Sequence, residues 1–165
     1  MIRMLNKQDA EAYQTIRLEA LRVNPEAFGS TYEREAAFTV EEIGRRIAPE
    51  AGKFTLGAFE EDRLIGIVTF VRDNGPKTKH KANLYGMYVS AECRGKGIGG
   101  KLLDTLIKEA RQLDGVEQIT LTVVQDNERA KALYVTSGFV VFGIEKNALK
   151  VEEIYYDEAW MVYFL

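Results

Sequence analysis

The sequence predicts an α/β domain in which a mixed β-sheet carries helices on both faces, and three observations lead there. Two β-rich runs, Phe54–Phe59 and Leu64–Val71, flank the polar stretch Glu60-Glu61-Asp62-Arg63 and read as an antiparallel hairpin. A second extended run, Ala82–Val89, passes through Ser90-Ala91-Glu92-Cys93 into Arg94-Gly95-Lys96-Gly97-Ile98-Gly99-Gly100-Lys101. From there Ile98, Leu102, Leu103, Leu106, Ile107, Ala110 and Leu113 recur at helical spacing, with Lys101, Asp104, Lys108 and Arg111 on the opposite face. The chain then alternates: a strand over Gln118–Val124, a helix from Asn127, and a strand from Phe139. Strands that first pair through turns and then alternate with helices build a mixed sheet covered on both sides.

Each element has a local cause. Ile2–Leu5 reads as a short strand, and Asp9 is placed to cap a helix running to about Arg22, with Tyr13, Ile16, Ala20 and Leu21 on one face. Asn24-Pro25 ends that helix, and Glu26–Phe38 reads as irregular, mixing Phe28, Tyr32 and Phe38 with Glu26, Glu33 and Glu35. Thr39 and Glu42 form a capping box for a helix reaching about Ala48, before Pro49. Asp73-Asn74-Gly75-Pro76 is a turn ahead of the Ala82–Val89 strand, and Asp114-Gly115 stops the long helix. Phe139–Phe142 is a strand, a loop containing Asn147 follows, and Tyr155–Leu165 is the last strand. Trp160–Leu165 is apolar on both faces, more than one sheet edge requires, which points to a homodimer.

Composition narrows the function classes. With 165 residues, 46% of them hydrophobic, one domain over 1–165 with a buried core is expected. Lys+Arg 22 against Asp+Glu 25 gives a formal charge of −3, so no global field recruits nucleic acid or an anionic membrane. Cys93 is the only cysteine and forms no intrachain disulfide, and with no signal-peptide pattern or long apolar run the expected location is the cytoplasm. Cys93 reads as a semi-exposed spectator and the lone His80 as a surface residue at a strand start, and no Cys/His cluster calls for a metal.

The chemistry concentrates in the glycine-rich stretch. Gly95, Gly97, Gly99 and Gly100 leave backbone N–H groups unshielded at the start of a helix whose dipole places roughly +0.5 charge there, a combination that holds phosphate. Gly95, Gly97 and Gly100 satisfy G-x-G-x-x-G, but the connector Ser90–Arg94 separates them from the strand end. Gly100-Lys101 approaches a P-loop, but Leu102 stands where Ser or Thr would hold magnesium. A nucleotide-binding protein is thus one alternative.

A third pattern fits more closely. Arg94-x-x-Gly97-x-Gly99 resembles the acyl-coenzyme A signature [Q/R]-x-x-G-x-[G/A] of the GNAT superfamily of N-acetyltransferases. Asn127, Ala130, Leu133-Tyr134 and Gly138-Phe139, following the Gln118–Val124 strand, resemble that family's second motif. The resemblance implies a GNAT-like fold, with a mostly antiparallel sheet of six or seven strands whose parallel pair splays at the cofactor site. It implies an acetyl-CoA-dependent N-acetyltransferase in which a primary amine, of a small molecule or a peptide, attacks the thioester directly through a tetrahedral intermediate. By the same resemblance Arg94, Gly95, Lys96, Gly97, Ile98, Gly99 and Gly100 cradle coenzyme A, and Met87, Tyr88 and Val89 meet its pantetheine mostly through main chain. An N–H near Met87 is the oxyanion donor. Asn127 contacts the cofactor and Tyr134 serves the departing thiolate; the two lie seven residues apart on one helix face. A phenol near pKa ~10 beside a thiolate near ~8.5 favours hydrogen bonding over full proton transfer. A non-catalytic acyl-CoA sensor of the same fold is the other alternative.

The acceptor side is less defined. The resemblance implies that the Glu26–Phe38 region walls the acceptor pocket, where acidic residues hint at a cationic acceptor. A carboxylate must remove the amine's proton, and Glu33, Glu35, Asp73 and Glu145 are the candidates, none of them singled out.

Overall fold

The computed structural model describes residues 1–165. In chain order the elements are β1 (Ile2–Met4), α1 (Ala10–Val23), α2 (Tyr32–Ala36), α3 (Val40–Ile47), β2 (Lys53–Glu60), β3 (Arg63–Arg72), β4 (Lys81–Val89), α4 (Ile98–Ala110), β5 (Gln118–Val124), α5 (Glu128–Thr136), β6 (Val140–Val151) and β7 (Ile154–Phe164). They form one seven-stranded sheet in the order β1-β2-β3-β4-β5-β7-β6, antiparallel throughout except where β4 meets β5. No helix is long and apolar enough to cross a membrane.

The sheet is buried from both sides by two separate cores. On one face Leu102, Leu103, Leu106 and Ile107 of α4 pack on Leu56, Val68, Phe70, Leu84 and Ile119, joined by Tyr134 and Phe139. On the other face Ile16 and Ala20 of α1 and Ile43 and Ile47 of α3 close over Leu5, Leu64, Ile67 and Tyr88. Alternation along β3 divides it between the two, Ile67 serving one core and Val68 and Phe70 the other, and the register shift that leaves Ile65 without a partner on β2 brings Leu64 to the face of Ile67. Burying each such side chain stabilises the fold by roughly 1.5–3 kcal/mol, so both helical layers are held by apolar area rather than by surface charge.

Most local expectations hold, including the Thr39/Glu42 capping box, whose two reciprocal bonds are both formed. The differences have physical reasons. Asp9 does not cap α1 with its side chain. Its carboxylate instead accepts Arg3 Nη2 at 2.7 Å and the Asn6 N–H at 2.8 Å, and Asn6 caps a 3-10 turn over Lys7–Asp9 that leads into the helix. The stretch after Pro25 is not wholly irregular, because Thr31 caps the five-residue α2. Asn147 lies within β6, not in a loop, at φ +53° in a bulge between Glu145 and Leu149. Cys93 is buried (2% exposed) in the α4 core rather than semi-exposed. Trp160–Phe164 belongs to β7, an interior strand between β5 and β6, so part of its apolarity serves the sheet itself. The edge strand on this side of the sheet is β6, which exposes Val140, Val141, Phe142 and Ile144.

Candidate active site

The site starts from a break in the sheet. β4 and β5 are paired at only three positions, Lys81 with Gln118, Ala82 with Ile119 and Asn83 with Thr120. Past Asn83 they diverge, β4 remaining with β3 and β5 with β7. β4 also bulges where it leaves its neighbour. Tyr85 faces Thr69 and Tyr88 faces Ile67, so Gly86 and Met87 fall outside the register. Gly86 takes φ +61°, a conformation that favours glycine and turns the backbone of Met87 out of line with the ladder.

The glycine-rich loop lies beyond the end of β4. Gly97 is the N-cap of α4 at φ +73°, with no side chain to close the helix end. The first α4 amide to find a carbonyl is Lys101, bonded to Gly97 O at 3.1 Å, and the six N–H groups from Gly95 to Gly100 make no hydrogen bond. A Cβ added at Gly95, Gly97 or Gly100 would meet no atom within 4 Å, so the side these glycines leave bare is open. Gly99 differs, because its Cβ would lie 3.0 Å from Leu133 Cδ2; there glycine lets α4 and α5 approach. Bare amides at a helix N-terminus, without a competing acid in the first turn, form a receptor for an anion.

A cavity of about 340 Å³ opens in front of this loop. It is lined by Met87, Tyr88, Val89, Arg94, Gly95, Gly97, Ile98, Gly99, Gly100, Asn127 and Tyr134, so the structure gathers every expected site residue except Lys96. Lys96 turns away and pairs with Glu60 at 3.3 Å on the surface. Arg94 lines the cavity but is also a brace: its Nε donates to Val89 O at 2.9 Å and its Nη2 to Asn24 Oδ1 at 3.1 Å, tying the loop to the end of α1. The Tyr88 hydroxyl donates to Glu19 at 2.9 Å, and burial followed by that carboxylate pushes its pKa up to about 12.

A second cavity, about 370 Å³, occupies the cleft between the diverging strands and is walled by Arg17, Glu35, Arg46, Tyr85, Thr122, Val124 and Glu158. The two cavities share Ala27, Phe28, Met87, Asn127, Ala130 and Tyr134. Tyr134, only 6% exposed, therefore stands where they meet. Its ring packs edge-on against Phe139 with centroids 5.8 Å apart, and its hydroxyl has no hydrogen-bond partner in the chain. Burial raises its pKa, which keeps the phenol protonated and able to donate. Asn127 uses Oδ1 to accept the Ala130 N–H at 3.1 Å, capping α5 and leaving Nδ2 for a ligand.

The carboxylates sort themselves by contact. Glu35 is buried (5% exposed) between Arg17 at 3.4 Å and Arg46 at 3.2 Å. Burial works to raise its pKa, but Arg17, the Ser30 hydroxyl and Arg46 together outweigh it and hold the carboxyl below its usual range. Asp73 accepts from Asn83 Nδ2 at 2.8 Å, and Glu145 accepts from Trp160 Nε1 at 3.0 Å; both line a different depression of the sheet. Glu33 lines neither of the two joined cavities. The carboxylate missing from the sequence expectation is Glu158, which β7 places in the second cavity opposite Val124 and Glu145. Burial, then the like charge of Glu145, pushes its carboxyl above the ordinary range. Only sheet register brings it there, and no local motif marks it.

Residues 2–160 match the acetyltransferase (GNAT) domain family. The chain belongs to the GNAT acetyltransferases. Among curated relatives, a mycothiol acetyltransferase from Geodermatophilus obscurus is 32% identical over 133 residues, 76% of this chain and 41% of that protein. The chain spans about two-fifths of the length of the curated mycothiol acetyltransferases it matches. A GNAT-family acetyltransferase structure from Streptococcus pneumoniae superposes with a TM-score of 0.87 at 26% identity, covering 100% of this chain and 99% of that one. A phosphinothricin acetyltransferase structure from Sinorhizobium meliloti, in complex with acetyl-CoA, shares the fold with a TM-score of 0.85 at 23% identity, covering 100% and 88%. Acetyl-CoA is the cofactor of the GNAT family. The residues present fit it, since a diphosphate matches six bare amides beside glycines that leave open space, and a chain-like pantetheine matches the unpaired edge of β4.

Proposed function

We propose that this chain transfers the acetyl group of acetyl-CoA to a primary amine by direct attack of the amine on the thioester. The observation that carries the reading is the row of unpartnered amides from Gly95 to Gly100, facing a cavity that joins the β4–β5 cleft at Met87 and Tyr134. Bound there, acetyl-CoA supplies the activated acyl carbon. The amides of residues 95–100 hold its diphosphate, and the free edge of β4 from Met87 to Val89 aligns its arm. Glu158 accepts the proton of the incoming ammonium, directly or through one water, and its raised pKa brings it toward the range where a base works at neutral pH. The Met87 amide, turned out of the ladder by the Gly86 bulge, donates to the oxyanion; a well-aimed donor of this kind contributes about 3 kcal/mol. The tetrahedral intermediate loses its remaining ammonium proton to solvent and breaks its C–S bond, and Tyr134, held neutral by burial, donates a hydrogen bond to the departing thiolate sulfur. Asn127 offers Nδ2 at the junction of the cavities.

The acceptor is a small-molecule or peptide amine reaching the junction from the second cavity. Incubation of the purified protein with acetyl-CoA and a panel of amines tests the reading. Amine-dependent release of free thiol, with a product one acetyl group heavier, is expected. Coenzyme A binding without thiol release for any amine would make the chain a binding module instead. A homodimer joined through the apolar surface of β6 and β7 belongs to the same proposal: Val140, Phe142 and Phe164 are exposed there, and Phe142 lies against Trp160. A monomeric mass by light scattering across a wide concentration range would refute that part.

A further inference from the structure

The acceptor cavity contains a cation for which the transfer step has no use. Arg17, on α1, has a side chain only 12% exposed. Its guanidinium lies over the Phe28 ring at 4.8 Å, and its Nη2 reaches Glu35 at 3.4 Å. Nη1 is buried and has no hydrogen-bond partner. A Cβ on Gly86 would lie 3.8 Å from that nitrogen, so Nη1 sits over the β4 bulge. Gly86 is itself one residue, about 3.8 Å between Cα atoms, from Met87 at the junction of the cavities.

Glu35 cannot meet this charge fully because it is divided between Arg17 and Arg46. The Ser30 hydroxyl, in the same cavity, lies near enough to Glu35 to favour its ionised form yet makes no hydrogen bond of ordinary geometry. Arg34 also lines the cavity, so three guanidiniums face two carboxylates, Glu35 and Glu158. A buried donor of permanent charge left without a partner destabilises the fold. Such a donor needs an acceptor from outside the chain, and a guanidinium matches a carboxylate in shape as well as charge. Glu35, the one acidic residue of the Glu26–Phe38 region that lines this cavity, is thus committed to arginines, and the hint of a cationic acceptor reverses.

Resting on the N-acetyltransferase reading, we infer that Arg17 is a specificity residue that binds a carboxylate of the acceptor. The acceptor is then an amino acid or close analogue, with its carboxylate near its reacting amine. The amine stands at the Met87–Tyr134 junction on the Glu158 side, and the carboxylate lies over Gly86 against Nη1. Polyamines are disfavoured by the same three guanidiniums.

The test offers each of the twenty common amino acids beside its C-terminal amide, in the wild type and in Arg17→Gln. At least one acid is expected to exceed its amide by about tenfold or more in kcat/KM. Arg17→Gln should reduce that acid's kcat/KM by about 10- to 150-fold, chiefly through KM, while amides stay within about threefold. Arg17→Lys, which keeps a charge for Glu35, should restore part of the loss and controls for folding. The N-acetylated acids and amides, titrated calorimetrically into protein loaded with coenzyme A, read the same contact without turnover. Acids that bind no tighter than amides, or an Arg17→Gln loss shared equally by both, overturn the inference even if thiol is released. Arg17-dependent binding of an acid without turnover would leave the carboxylate site standing and reject the transfer reading instead.

Discussion

Removing one oxygen atom gives the sharpest test of the chemistry. In Tyr134→Phe the ring keeps its place against Phe139, and because the hydroxyl has no partner in the chain, no donor or acceptor is orphaned. Stability should therefore change by less than about 0.5 kcal/mol, in contrast to the 1–3 kcal/mol that follows when a buried partner is left unmet. What the variant loses is a hydrogen bond to sulfur that strengthens as negative charge develops. Such charge-assisted bonds are worth about 1.5–3 kcal/mol, and at 1.36 kcal/mol per decade kcat should fall by about 10- to 150-fold. Coenzyme A affinity should stay within about threefold, since the diphosphate contacts lie at the loop. The assay is thiol release at saturating acetyl-CoA and acceptor, paired with calorimetry and thermal unfolding. An unchanged kcat removes Tyr134 from the mechanism, and a collapse in Tm would reassign it to the core.

Three further outcomes are expected. Gly97→Asn keeps the left-handed backbone that Asn tolerates while placing a side chain in the open space before the amides; coenzyme A affinity measured by calorimetry should fall by about 30-fold or more with little change in Tm. Glu158→Gln should cost about 10²- to 10⁴-fold in kcat/KM and abolish an acidic limb of the pH–rate profile that lies above the ordinary carboxylate range; Glu145→Gln, by removing the like charge opposite, should move that limb to lower pH. Glu35→Gln leaves two guanidiniums without their anion and should destabilise by about 2–4 kcal/mol, at the lower end of buried pairs because Arg46 is 49% exposed, or roughly 5–15 °C in Tm. Because the folded-state pKa of Glu35 is depressed, its contribution is fully present above about pH 4.5 and disappears as pH falls through the lowered value; the Gln variant should lose that part of the acid sensitivity.

What could be read in advance was local in its causes. The capping box at Thr39 and Glu42, the periodic face of α4 and the bare glycines before it each depend on residues within a few positions, and each took its expected form. Asp9 stands at the N-cap of α1 as expected, but its side chain makes no cap bond because it has a competing partner, Arg3, that approaches from β1. The five-residue α2 gives too little periodicity to register, and the bulge at Asn147 depends on pairing with a strand that begins later in the chain. The acceptor side was least legible for the same reason. Glu158 reaches the cavity through sheet register, and Arg17 and Glu35 meet from different helices eighteen residues apart. Contacts made at that distance leave no mark in neighbouring residues.

The short pairing of β4 with β5 has a mechanical side. Three residue pairs are all that bind the β1–β4 half of the sheet to the β5–β7–β6 half along this seam, while every other junction is sewn over a longer run or lies at the rim. A seam so brief is where native opening starts, so amides from Leu84 to Met87 and from Thr122 to Val124 should exchange with solvent earliest among the inner strands. Whatever lodges in the gap and bonds to both lips acts as a keystone, and on the proposed function the protein is then stiffest while it holds its thioester.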